Sequence, residues 1–188
     1  MKLINKLHEE LSSFQTENSP VFSNISLNTI FRNSVDCKII KNTEKRQVFY
    51  IQTSRGEYFL KLSHLIRTKD RFRHYILPWR RWAEWRNLHK LMMLGIETAE
   101  PVIKGERWEQ RPKSFFIVTK KVDGISLSEQ SVPDPENLGK FFASLHLRGI
   151  YHADSHPENI IIKPNGQLCL IDVQEVYTLG RLPKWLRV

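Results

Sequence analysis

The stretch YHADSHPENIIIKPNGQLCLIDVQE, residues 151–175, gathers side chains suited to phosphate chemistry. Asp154 sits in a polar run, Asn159 lies five residues on, and Asp172 ends the apolar run QLCLI. A loop carboxylate can orient an attacking hydroxyl and take its proton. An Asn carbonyl and a second carboxylate are hard oxygen donors. They suit Mg²⁺, which keeps several waters and needs few protein groups. With a cation to hold the phosphates, these are the parts that phosphoryl transfer requires. The competing reading is a polar hairpin, and it explains Asn165-Gly166 well. It gives no reason for Asp172, because a carboxylate at the end of an apolar strand needs a partner. His152 and His156 form H-x-D-x-H with Asp154, but a zinc site would need a third soft ligand and none lies nearby. Cys169 falls in the apolar strand by pattern. His152 is expected to support the loop backbone through its ring, Pro157 to stiffen the turn, and Tyr177 and Trp185 to pack.

Two upstream residues could complete the set. In GEYFLKLS, alternation sends Tyr58, Leu60 and Leu62 to one face and Phe59 and Lys61 to the other. Lys61 is either an edge-strand protector or a cation that holds phosphate oxygens. In the second case an acid must steady its flexible stem, and Glu84, mid-helix beside Trp85, is the candidate. Alternatively Glu84 is a surface acid paired along its own helix with a base such as Arg80.

The elements that must position these residues follow from periodicity. Residues 3 to 14 suit a short amphipathic helix closed by ENSP. VDCKII, KRQVFYIQT and GEYFLKLS read as an antiparallel meander with turns at NTEK and SRG. YILPW breaks at Pro78. RRWAEWRNLHKLMMLG then carries Trp82, Trp85, Leu88 and Met92 at helical spacing, with Gly95 as its stop. TAEPVIKG and KSFFIVTKKV are two further strands, and DGISLSEQSVPDP is a connector. PENLGKFFASLHLRG is a helix with Pro135 at its start and the stripe Leu138, Phe141, Phe142, Leu145. Strand IIIK, turn PNG and strand QLCLI close the pattern. No internal repeat occurs. This order predicts two small lobes, with a site expected at their junction.

Composition sets outer bounds. A chain of 188 residues, 40% apolar, with ten Phe, five Tyr and five Trp, can bury a core. No run of 18 apolar residues occurs, and MKLINKLHEELSSF carries charges where a secretion signal needs apolar residues. Cys37 and Cys169, far apart, read as reduced thiols. The net charge is +9, and RTKDRFRHYILPWRRW carries Arg67, Lys69, Arg71, Arg73, Arg80 and Arg81 against Asp70 alone. Such a run is either a solvated face or an attractor of anions.

Read together, GEYFLK, AEWRNLHKLMMLGIETAEPV, HADSHPEN, LIDV and the closing LPKWLRV resemble the lipopolysaccharide core kinase family, the bacterial Kdo and heptose kinases, over roughly residues 28 to 188. That family is itself similar to the protein-kinase fold. The resemblance implies an α+β, protein-kinase-like fold: an antiparallel-sheet lobe with one long helix over residues 1–121, and the start of a helical lobe over 122–188. It implies an ATP-dependent kinase that uses Mg²⁺ and phosphorylates a heptose or Kdo hydroxyl of the lipopolysaccharide inner core. Lys61 takes the role of the ATP lysine, and Glu84 that of its partner, within about 4 Å. Asp154 becomes the base, and Asn159 and Asp172 the metal ligands, their oxygens converging on one ion. A Gram-negative source and a cytoplasmic location are implied. Contact of residues 67–81 with the anionic inner-membrane surface is expected, and nucleic acid is not an expected partner. Other small-molecule or protein serine/threonine kinases, and a binding protein without turnover, are the alternatives. No G-x-G-x-x-G precedes Lys61, and NSVDCKII stands where a phosphate-covering loop would be. Val-Gln follows Asp172 in place of Phe-Gly, which argues against activation-loop switching. The chain stops 16 residues after Asp172, so the sequence predicts a piece of a longer protein.

Overall fold

Lys61 lies in the middle of a strand whose two neighbours are also strands, and the first half of the chain is organised around that strand. The computed structural model describes residues 2–109, 112–129 and 134–179. In chain order the first elements are α1 (Lys2–Leu11), β1 (Gln15–Asn18), α2 (Leu27–Arg32), β2 (Ser34–Asn42), β3 (Arg46–Thr53), β4 (Gly56–His64), α3 (Thr68–Ile76) and α4 (Pro78–Arg81). Then come α5 (Ala83–Met93), β5 (Pro101–Trp108), β6 (Pro112–Lys120), β7 (Ile125–Ser126), α6 (Pro135–Leu147), β8 (Ile150–His152), β9 (Ile160–Ile162), β10 (Leu168–Leu170) and β11 (Val176–Thr178). The chain forms two compact units, Met1–Trp82 with Glu100–Lys121, and Ala83–Ala99 with Val122–Val188.

The first unit is a six-stranded sheet in the order β1-β5-β6-β4-β3-β2, with every pairing antiparallel. The β2–β3–β4 meander matches the sequence expectation. On β4, Tyr58, Leu60 and Leu62 are buried, so their face meets the core while Phe59 and Lys61 take the other. Ile4, Leu7 and Leu11 of α1, spaced three and four apart, cover that core with Phe14, Ile51, Val102, Phe116 and Val118. Gly105 permits close approach: a Cβ there would meet the Phe116 ring at 2.3 Å. The expectation that ENSP merely closes a helix was incomplete, since Gln15–Asn18 pairs with β5. Ser34–Asn42 forms the strand expected of VDCKII, with register irregularities between Ser34 and Asp36 and between Ile39 and Lys41.

The second unit packs α5 and α6 with three short strand pairings. Leu88, Leu91, Ile96 and Ala99 share a core with Leu127, Leu145, Ile150, Ile160, Leu168, Leu170, Val173 and Val176. That shared core is why residues 83–99 group here, whereas the sequence reading left them with residues 1–121. The expected single helix from Arg80 is also broken, α4 and α5 being separated at Trp82. Asp134 caps α6 through its side chain, which accepts from Glu136 N, and Pro135 occupies the first turn as expected. Gly149, at φ 71°, makes the turn from α6 into β8. Among the described residues no helix is long and apolar enough to cross a membrane.

Candidate active site

The loop after β8 is built from its own hydrogen bonds. Ser155 Oγ donates to His152 O at 2.7 Å, and Asp154 N donates to His152 Nδ1 at 3.2 Å. His156 N donates to Asp154 O at 2.8 Å, and Asn159 N to His156 O at 2.8 Å. Pro157–Asn159 then forms one 3-10 turn. Asn159 Nδ2 reaches back to Asp154, donating to its backbone O at 3.0 Å and to its Oδ2 at 3.3 Å. The structure thus brings Asp154 and Asn159 together. Asp154 is exposed, so its carboxylate is open to a hydroxyl from outside. With Nδ2 committed to Asp154, the carbonyl oxygen is the part of the Asn159 amide left for a cation.

Asp172 joins them through the hairpin. Leu168, Cys169 and Leu170 pair with Ile162, Ile161 and Ile160, and Ile171 N donates to Asn159 O at 2.9 Å. The register therefore puts Asn159 and Asp172 at the same open end of the hairpin. Asp172 is half-buried and has φ 55°, the one positive φ among the described non-glycine residues. The outer side of β10 is tied to the segment after α5. Thr98 Oγ1 donates to Leu170 O at 2.8 Å, Leu170 N to Glu97 O at 2.9 Å, and Lys163 pairs with Glu97 at 2.9 Å.

His152 feels the charges of both carboxylates. Burial holds its pKa below the ordinary 6.5, while the charges of Asp154 and Asp172 and the Asp172 backbone pull the other way. Burial wins, and the ring is neutral at pH 7. Because Nδ1 accepts from Asp154 N, the proton belongs on Nε2, the tautomer this bond requires. Nε2 is buried and completes no hydrogen bond of standard geometry, although the Asp172 backbone lies near enough to favour its protonation. The expected role of His152 as a support for the loop backbone is what the structure displays.

Asn87 was not anticipated. It is 9% exposed, and its Nδ2 donates to Val173 O at 2.8 Å and Val176 O at 2.9 Å. It pins α5 to the segment that follows Asp172. The available signal was an Asn, a poor helix former, between Trp85 and Leu88 in a strongly helical run. Tyr177, read as a packing residue, is 45% exposed and donates from its hydroxyl to Glu175 Oε2 at 2.6 Å. Trp185 and the LPKWLRV segment lie outside the described residues.

Lys61 sits at mid-strand, half-buried, opposite Val48 of β3 and Ile117 of β6. β4 is an interior strand, so edge protection does not explain this lysine. Glu84, in the first turn of α5, is only 6% exposed, which rules out the surface-acid reading. A helix N-terminus favours a carboxylate there. The two residues belong to different compact units. Among the described residues no group of three His, Cys, Asp or Glu could hold a metal. The oxygen donors of Asn159 and Asp172 match a hard cation that keeps its waters better than they match zinc.

The model of the lipopolysaccharide kinase (Kdo/WaaP) family matches residues 35–185. The chain belongs to that family. Two solved structures share its fold. One, described as WaaP in complex with acyl carrier protein, is 16% identical with a TM-score of 0.59, covering 92% of this chain and 76% of that one. The other, WbdD, is 21% identical with a TM-score of 0.53, covering 78% of this chain and 34% of that one. A stretch of 74 residues, 34% of the chain, is 35% identical to the serine/threonine-protein kinase sck2 of Schizosaccharomyces pombe. The match spans 12% of that relative's length. The α+β, protein-kinase-like fold implied by the motifs is the fold of this family's structural relatives.

Proposed function

We propose that this chain carries the catalytic machinery of an ATP-dependent kinase that phosphorylates a sugar hydroxyl, heptose or Kdo, of the lipopolysaccharide inner core. The observation that carries the reading is the Asp154–Asn159 clamp at the open end of the hairpin that ends in Asp172, in a chain of this family. Asp154 is the base. Its loop hydrogen bonds hold the carboxylate at the surface, where it orients the acceptor hydroxyl and takes its proton. Asn159 and Asp172 would hold Mg²⁺, which would neutralise charge on the phosphates. Lys61 holds phosphate oxygens. His152, neutral, keeps the backbone of Asp154 in place without adding a positive charge beside the base. On this reading ATP meets the glycolipid acceptor at the cytoplasmic face of the inner membrane.

The test is phosphate transfer from labelled ATP to inner-core glycolipid stripped of phosphate. Asp154→Asn lowers turnover about 10²–10⁴-fold with nucleotide affinity nearly kept, the usual effect of losing a positioned base. Turnover within threefold of the parent would remove Asp154 from the role. The local likeness to a serine/threonine-protein kinase favours a second reading, a protein hydroxyl as acceptor, and an acceptor screen separates the two. Nucleotide binding without transfer to any acceptor would identify a binding protein instead.

A further inference from the structure

The helix α3 turns the usual amphipathic arrangement inside out. None of its residues is buried. The side chains that lean on the sheet are polar. Arg71 Nε donates to Leu65 O at 2.8 Å, and the His74 ring lies 5.8 Å from that of Phe115. At 100° per residue, Phe72 and Ile76 lie on the opposite side of the helix, one turn apart. They are 50% and 51% exposed, and Tyr75 beside them and Trp79 in α4 are exposed to a similar degree. Ile66, just before the helix, is exposed as well. Single exposed apolar residues are ordinary, but a run of large ones on one outward ridge marks an interaction surface.

Charge identifies the surface it fits. Arg67, Lys69, Arg73 and Arg80 are exposed around the ridge, and Asp70, the one acid in the segment, is half-buried. Arg81 is not among them. The sequence reading counted it in the basic run, but its side chain is 4% exposed and pairs with Glu106 at 2.9 Å, with its guanidinium 5.2 Å from the Trp108 ring centre. A partner helix would pack its ridges against a continuous apolar stripe, whereas here Lys69 and Arg73 are exposed beside Phe72 and Ile76. Nucleic acid would use the cations and the aromatic rings but would have no use for Ile66 and Ile76. Large apolar side chains flanked by Lys and Arg on a surface helix match the boundary between head groups and acyl chains of an anionic bilayer.

We propose that α3 and α4 form a membrane-docking face, with Phe72, Ile76 and Trp79 entering the acyl boundary of an anionic bilayer while Lys69, Arg73 and Arg80 meet its phosphate head groups. This goes beyond the phosphotransfer reading and does not depend on it.

The full chain is mixed with phosphatidylcholine vesicles, with and without phosphatidylglycerol, and the bound fraction is measured by sedimentation. Binding requires phosphatidylglycerol and weakens with salt. The triple variant Lys69→Gln, Arg73→Gln, Arg80→Gln loses about 100-fold in partition, from roughly 1 kcal/mol per cation. Ile76→Ser with Trp79→Ser loses about tenfold or more. Brominated lipid quenches tryptophan emission, and Trp79→Phe removes the quenched component. All variants keep the parent's thermal midpoint and its transfer to a soluble acceptor, because none of these residues serves the loop or the phosphates. Equal partition with both lipids, variants that bind like the parent, or quenching unchanged in Trp79→Phe each overturns the proposal. So does capture by duplex RNA or an acidic protein through the same cations when vesicles do not bind. Loss of phosphotransfer in the parent chain would strike the kinase reading and leave this one standing.

Discussion

Replacing Asn87 by Leu should unlock the segment that follows Asp172, and the structure sets the size of the effect. On β11 the register pairs Val176 with His152, Tyr177 with Tyr151 and Thr178 with Ile150. Ala153 N donates to Glu175 O at 2.9 Å and Leu179 N to Gly149 O at 2.8 Å, so the hydrogen-bonded positions of this pair are the odd-numbered ones. Val176 is a non-bonded position, and its carbonyl turns away from β8. The partner it finds is Asn87 Nδ2, at 2.9 Å in a buried setting. Val173 O keeps a second partner in Val176 N at 3.3 Å. Leucine fills a similar volume but donates nothing. The Val176 carbonyl then loses its buried partner at a cost of about 1–3 kcal/mol, and Val173 O loses one of two bonds for about 1 kcal/mol more. The sum is about 3 kcal/mol. With a urea slope of about 2 kcal/mol per molar, the midpoint of the second unit falls by about 1.5 M.

Hydrogen exchange localises the effect. Amides of residues 173–179 should exchange faster in Asn87→Leu, while those of β3 and β4 in the first unit keep the parent's protection. Nucleotide-dependent protection of the Asp172 region should weaken although Asn87 touches neither metal nor acceptor in the reading above. A midpoint within about 0.3 M of the parent, with unchanged exchange over 173–179, would show that Asn87 is a passenger and that β11 is held by strand pairing alone.

Four further outcomes are expected. Gly124→Ala should cost more than about 2 kcal/mol in a urea melt, because the residue has φ +144° and a Cβ would lie 2.2 Å from Ile162 O. Asp172→Asn should leave stability within about 0.5 kcal/mol, since Asn also tolerates positive φ, yet abolish Mg²⁺-dependent nucleotide binding in calorimetry. Native iodoacetamide labelling at pH 8 should reach Cys37, which is part-exposed, and spare Cys169, whose thiol burial pushes up to about 12. His64, His74, His146 and His152 are all held below 6.5 by burial, so the unfolded chain binds protons that the folded one refuses. Stability should be full above about pH 6.5 and fall as pH drops through it, and a urea midpoint higher at pH 5.5 than at pH 7.5 would contradict this.

What was legible from sequence follows one physical rule. Elements that bury an apolar face announce it by period, and elements that do not stay silent. The alternation on β4 correctly sent Lys61 away from Tyr58, Leu60 and Leu62, and the β9–β10 hairpin was visible from IIIK, PNG and QLCLI. The helix α3 was missed because its inward side chains are polar and its apolar ones face out, so no apolar face pointed to a core. Arg81 looked like one more surface cation, since nothing local signals that Glu106 and Trp108 will enclose it. The three-residue strands β8 and β11 carry too few positions for alternation to show, and they exist because Gly149 reverses the chain after α6. The loop residues were legible as a set because Asp154, Asn159 and Asp172 are close in sequence. The partners that fix them, Asn87, Glu97 and Thr98, come from a distant part of the chain.

Asp172 shows why those distant partners matter. A non-glycine residue at φ 55° costs roughly 1–3 kcal/mol and persists only where its neighbours leave it no alternative. On one side Ile171 is bonded to Asn159 and Leu170 to Glu97 and Thr98. On the other, Val173 is fully buried, and its carbonyl is held by Asn87. The peptide between these anchors has to turn within one residue, and the left-handed conformation makes that turn. Glycine would do so without strain but would bring no carboxylate. An aspartate kept there at a conformational cost, at the same hairpin end as Asn159 and beside a histidine whose ring feels both it and Asp154, is hard to explain by folding alone. The strain is accounted for if the position is retained for what its carboxylate binds.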